Sequence, residues 1–156
     1  MGLKYFDSID LSNVLIVRLK PQDEIREKIE EVMNQNGLKK AVILSAIGSV
    51  FEATFFGVKK NSELPFGKDK ITVVKETGPF EVLTLEGNIL PAGDKLISHI
   101  HITLGAHDGS ILGGHLDRAI VYTTLELFLA EIRESKVEKE LDKIAGGIQI
   151  KLPIGS

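Results

Sequence analysis

Residues 11–20, LSNVLIVRLK, alternate loosely between apolar and polar side chains around Val14, Ile16 and Arg18, and Pro21 closes the run. This is the two-residue period of a strand. The period then changes. From Asp23 to Asn36, the residues Ile25, Ile29, Val32 and Met33 follow one another at four, three and one positions, forming one stripe of a helix opposite a charged face. Asp23 or Gln22 stands where such a helix would be capped, and Gly37 supplies the left-handed residue on which many helices end.

Beyond the helix the pattern is that of strands. KKAVILSAIGSVFEATFFGVKK holds two β-branched and aromatic runs, 41–47 and 50–58, and Gly48-Ser49 between them predicts a tight connection. Residues 61–70, with Pro65 and Gly67, make the most loop-like stretch. Strands are predicted over 70–76, 80–90 and 95–104, with breaks at Gly78-Pro79 and at Pro91-Ala92-Gly93, and a long one over 119–132. Charges at helical spacing around Val137, Leu141 and Ile144 predict a short C-terminal helix over 133–144, stopped by Gly146-Gly147 before a last strand at 148–152.

One main amphipathic helix, a short C-terminal helix and many strands joined by turns amount to an α+β fold with a mostly antiparallel sheet. Strands and helices do not alternate, which excludes a Rossmann-type arrangement. No repeat or linker interrupts the pattern, so residues 1–156 are expected to form a single domain.

Composition narrows the chemistry more than the fold. The chain of 156 residues has no cysteine, so thiol nucleophiles, disulfides and Cys-ligated zinc are excluded, and a metal would have to be held by imidazole and oxygen. With 19 basic and 22 acidic residues the net charge is −3, and nothing supplies the positive field that nucleic-acid backbones attract. The opening MGLKYFDSID has no charged and apolar leader, and no apolar run approaches the roughly 20 residues that span a bilayer. A soluble, cytoplasmic protein without a membrane partner is expected. Ser45, Ser49, Ser98 and Ser110 lack a G-x-S-x-G elbow, and no Walker or G-x-G-x-x-G pattern is present.

All four histidines fall in SHIHITLGAHDGSILGGHL, residues 98–116. His99 and His101 leave the same face of an extended strand. Whether His115 joins them depends on one turn. If His107-Asp108-Gly109 is a three-residue loop with Gly109 left-handed, Ala106 faces Ser110, His101 faces His115 and His99 faces Asp117. A two-residue Asp-Gly turn would put His115 on the other face, unless a bulge at Gly113-Gly114 restores it. Three imidazoles with an open fourth position suit zinc that activates water, and imidazole also suits iron, nickel, cobalt and copper. The competing reading is that His99 and His101 are ordinary hydrogen-bonded residues on the solvent face of a hairpin. Asp117 and Glu86 are candidates for an additional ligand or base, Glu86 because Gly87 beside it permits close approach; Glu81 and Asp108 are further carboxylates. His107 belongs to the loop.

Taken in order, "AVILSAIGSV", "FEVLTLEGNI" and "HIHITL…DG…LGGHL" resemble the PPC domain, the plants-and-prokaryotes conserved domain. The likeness runs through nearly the whole chain. It implies an α+β fold with an antiparallel sheet, assembled as a homotrimer, and His99, His101 and His115 match the histidines of the prokaryotic type one for one. The fold is also similar to that of acetolactate decarboxylase, whose zinc is held by a His-x-His pair and a later histidine, so zinc is the cofactor the resemblance implies. Prokaryotic members are often called DNA-binding by analogy with plant relatives that carry an AT-hook; this chain has no such arm. It also has Gly78-Pro79-Phe80-Glu81 where members frequently show Gly-Arg-Phe-Glu, and Glu86 where a small polar residue is common.

Three functions stay open at this point. One is a metal-binding protein, with a metal-dependent enzyme of hydrolytic or decarboxylating type as its active form. The second is a DNA-binding or transcription-associated homotrimer. The third is a trimeric scaffold or interaction module, for which the apolar run 119–129 offers more surface than one face of a small domain needs.

Overall fold

The structure, a computed structural model, describes residues 8–152. Its elements follow in the order β1 (Asp10–Leu19), α1 (Ile25–Gln35), β2 (Ala41–Val58), β3 (Ile71–Ala92), β4 (Lys95–Gly105), β5 (Ile111–Arg133), β6 (Glu138–Asp142) and β7 (Gly147–Lys151), with a single 3₁₀ turn at Lys68–Lys70. The α+β, mostly antiparallel fold is as the periodicity predicts. Five strands lie in the order β1-β5-β2-β3-β4, and β4 pairs again with β5. That second pairing closes four strands on themselves around the apolar core.

The core explains why these segments take these shapes. In β4, Ile100, Ile102 and Leu104 are buried, and in β5 Leu125, Leu127 and Leu129 are buried with the same two-residue period. The helix adds Ile25, Ile29 and Met33, all fully buried in the same cluster, so the predicted stripe is the face that packs on the sheet. At its end Gly37 has φ 67° and the Leu38 amide donates to the Met33 carbonyl at 2.9 Å, closing the last turn.

The helix cap is neither of the residues expected. Glu24 is the cap: its Oε2 accepts from the Glu27 amide at 2.7 Å, and its Oε1 accepts from the Ala119 amide at 3.1 Å. Asp23 instead accepts from the Lys20 amide at 2.8 Å. One buried carboxylate therefore serves a helix start and a strand at once. Glu24→Ala is expected to cost about 1–3 kcal/mol, because both amides lose a charged acceptor; a chemical-denaturation midpoint unchanged from wild type would contradict this.

Three sequence expectations are corrected. Gly48-Ser49 is not a connection, since β2 runs unbroken for 18 residues. A Cβ on Gly48 would stand 2.1 Å from the Thr124 carbonyl oxygen, so this glycine admits the neighbouring strand. Gly78-Pro79 does not end a strand either. The β2–β3 ladder steps over it, with Val50 opposite Phe80 and Glu52 opposite Thr77, so the missing proline N–H falls where no ladder bond is needed. The expected break at Pro91-Ala92-Gly93, by contrast, is where β3 ends and turns into β4, with Ala92 opposite Lys95.

The third correction concerns the predicted C-terminal helix. Residues 138–142 form β6, paired with β7 so that Leu141 faces Ile148. The helical stripe has nothing to pack against: Leu141 and Ile144 are exposed, whereas Val137 and Lys139, two apart, are buried. Asp142 closes the intervening turn by accepting from the Ile144 and Ala145 amides at 2.8 and 2.9 Å.

Candidate metal centre

The turn of the β4–β5 hairpin takes the three-residue form. The Ala106 amide donates to the Ser110 carbonyl at 2.9 Å, the Gly109 amide to the Ala106 carbonyl at 3.0 Å, and Gly109 has φ 84°. Asp108 Oδ1 accepts from the Ser110 amide at 2.9 Å and from its hydroxyl at 2.7 Å. These bonds hold the Asp108 carboxyl below the usual carboxylate range and commit it to the turn. His107 sits exposed at the tip.

From that turn the register runs Gly105 opposite Ile111, Thr103 opposite Gly113 and His101 opposite His115. Gly113-Gly114 introduces no shift. A Cβ on Gly113 would meet the Ile102 carbonyl oxygen at 2.1 Å, and one on Gly87 would meet the His99 carbonyl oxygen at 2.2 Å. Glycines on both neighbours thus let the flanking backbones close on β4. With Ile100 and Ile102 held in the core, His99 and His101 are turned out on the opposite face. His115 is braced between its cross-strand partners His101 and Phe56, and its ring stacks on Phe56 with centroids 5.9 Å apart and planes 16° from parallel.

The three imidazoles converge. One ring nitrogen from each of His99, His101 and His115 lies within 4.8 Å of the others, and His99 Nε2 is 3.2 Å from His101 Nε2. A tetrahedral zinc with Zn–N bonds of about 2.0–2.1 Å sets its nitrogens roughly 3.3 Å apart. The donors fit such an ion in chemistry, and the His99–His101 pair already has its spacing.

Their protonation suits the same purpose. Burial, then the neighbouring charges of His99, His101, Arg26 and Lys139, pushes the His115 imidazole down from 6.5 to about 4. Burial and then Lys139 and His101 lower His99 as well. At neutral pH the His115 and His99 rings are therefore neutral, the form that ligates metal. The same shift has a consequence for stability. Between pH 6.5 and about 4 the unfolded chain binds a proton at His115 that the folded chain refuses, so stability contributed above pH 6.5 is lost as pH falls through that window. Thermal melts of metal-free protein across this range should show the decline, and His115→Gln should lessen it.

Other expected site residues are placed as follows. Asp117 does not face His99, because β4–β5 pairing ends at His101 and His115. Across from β2, Leu116 pairs with Phe55 and Arg118 with Thr54, leaving Asp117 as the extra residue of a bulge. It turns to the helix: its carbonyl accepts from Arg26 Nη1 at 2.9 Å, and its carboxylate lies 3.8 Å from the same nitrogen. Glu86 is exposed and lies directly opposite His101 on β3, while Asn88 occupies the position opposite His99. Glu81 lies opposite Gly105, toward the turn end of the hairpin. Among the described residues, the histidines alone form a group of three or more His or acidic side chains close enough to share an ion. Sequence reasoning misses Arg26 and Lys139, whose charges act on His115; neither lies in the hairpin, and no local pattern marks them.

A closed antiparallel α+β domain that turns three histidines outward from one hairpin is the class of protein defined here. The chain belongs to the Plants and Prokaryotes Conserved domain family (PCC, also written PPC), whose sequence profile matches residues 7–133. It is 27% identical over 143 residues to the bifunctional protein GlmU of Synechococcus sp. (strain JA-2-3B'a(2-13)), a match that covers 87% of this chain and 20% of GlmU. The chain thus spans about a fifth of the length of that curated relative. Among solved structures, a PPC protein from Pyrococcus horikoshii superposes with a TM-score of 0.81 at 22% identity, covering 97% of this chain and 100% of the other. A metal-containing protein from Archaeoglobus fulgidus gives 0.79 at 28% identity, covering 94% and 98%. Among the described residues no helix is long and apolar enough to cross a membrane.

Proposed function

We propose that His99, His101 and His115 hold one first-row transition-metal ion, with zinc the leading candidate, in a three-nitrogen centre open to a small-molecule ligand. The observation that carries this reading is the convergence of three imidazoles within 4.8 Å, two of them already at 3.2 Å. The likeness to a metal-containing protein from Archaeoglobus fulgidus supports it. Bound there, the ion would supply Lewis acidity, the property that hydrolytic and decarboxylating enzymes share. The chain's own residues supply the rest: the hairpin fixes the donors, Phe56 walls one side of His115, and Gly113-Gly114 leave an open depression of about 430 Å³ beside His101 and Thr103 through which a ligand can approach.

Elemental analysis of protein expressed with metal supplied tests the reading. It predicts about one equivalent of a transition metal per chain in the wild type and almost none in His115→Ala. Equal contents in the two, or none in either, would overturn it.

The homotrimer expected from the family resemblance enters the proposal as well. Ile16 pairs with Phe128, and Ile47 pairs with Glu126 two residues along the same strand, so one face of the sheet presents Ile16, Ile47 and Phe128 to solvent. Ile16 is 75% exposed. Assembly would bury such a surface. Sedimentation equilibrium at micromolar concentration should give a mass near three chains, and a single-chain mass would contradict this.

A further inference from the structure

β6 lies beyond the part of the chain that the family profile matches, and it carries a lysine that packs inward. Lys139 is 3% exposed. Two residues before it, Val137 packs with Leu90 and Ile132, so the strand period turns Lys139 to the same side as Val137. Leu90 shares a face of β3 with Asn88 and Glu86, the residues opposite His99 and His101. Lys139 is accordingly brought toward the histidines, and its charge is felt at His99 and His115. Burial also weakens its own hold on a proton.

Among the described residues the Lys139 ammonium makes no hydrogen bond and no ion pair. Nearby, the Oδ1 of Asn88 is buried without a partner. The stem of Lys139 is packed away while the ammonium tip still reaches solvent, so the charge stays available to a ligand. A divalent ion held by three imidazoles adds two further positive charges, and among the described residues no carboxylate belongs to the cluster that would hold it. Such an arrangement of positive charge favours an arriving anion.

We propose that Lys139 makes the histidine centre an oxyanion site, where a small carboxylate or phosphate sets one oxygen toward the ion and another on the Lys139 ammonium. This rests on the metal reading above, and the test separates the two. Wild type, Lys139→Met and Lys139→Arg are loaded with Co²⁺, and acetate and inorganic phosphate are titrated separately while the visible cobalt bands are followed. All three proteins should load cobalt alike. Anion affinity should fall about tenfold or more in Lys139→Met and be largely kept in Lys139→Arg, the anion with the larger dependence identifying the class.

Cobalt-loaded Lys139→Met that binds both anions as wild type does would overturn the oxyanion assignment and leave the metal reading standing. A wild type that takes up no cobalt would overturn both.

Discussion

Replacing His101 by alanine is expected to abolish metal binding at practical concentrations. His101 is the centre of the cluster: it lies directly opposite His115 and its Nε2 is 3.2 Å from that of His99. Loss of an outer-shell partner typically lowers metal affinity about 10–100-fold, and loss of a ligand should exceed this. Competition titration against a chelator reads the effect, with His107→Ala as the control, since His107 sits at the loop tip and should bind as wild type does. Because His101 is exposed, the metal-free fold should scarcely change. Unaltered affinity in His101→Ala would mean that the ion, if bound, sits elsewhere.

The second large effect is expected at Gly113, where fold and site meet. A Cβ there would stand 2.1 Å from the Ile102 carbonyl oxygen and 3.1 Å from the Thr103 Cα, all backbone, so no side chain can swing aside. β5 must move away from β4, and His115 is two residues further along the moving strand. Gly113→Ala should therefore cost roughly 1–3 kcal/mol, the usual range for overpacking. At about 2–4 °C per kcal/mol for a chain of this size, the melting temperature should fall by several degrees. Metal affinity should fall with it. Gly37→Ala is a useful contrast: its φ of 67° strains a side chain, yet a Cβ would meet nothing within 4 Å, so stability should drop slightly and metal affinity not at all. A Gly113→Ala protein with wild-type melting and metal binding would refute the close-approach role.

The parts legible in the sequence are those decided by local rules. The stripe Ile25, Ile29, Val32, Met33 is a helix because its period matches a helix and the sheet buries it. The histidine triad is legible because i and i+2 share a face and one turn sets the register, and Gly109 gives that turn away. What is not legible depends on neighbours distant in the chain. Gly48 and Gly78-Pro79 have the look of punctuation, but in β2 and β3 they lie within long strands, one admitting β5 and the other stepped over by the ladder. Asp117 follows His115 by two residues and would share its face but for a bulge that arises against β2. The charges of 133–144 keep a helical period, yet burial of Val137 against Leu90 and Ile132 imposes the period of a strand. Lys139 is hidden for the same reason, since a lysine at such a position is usually solvated and only the packed structure shows it buried.

The central claim is that three histidines of one hairpin hold a single ion, and anomalous diffraction at a metal absorption edge tests it most directly. Crystals of the protein grown with Zn²⁺ or Co²⁺ should show one strong anomalous peak about 2.0–2.1 Å from a ring nitrogen of each of His99, His101 and His115. No peak at that position, or one reached by only two of the three rings, would contradict the account.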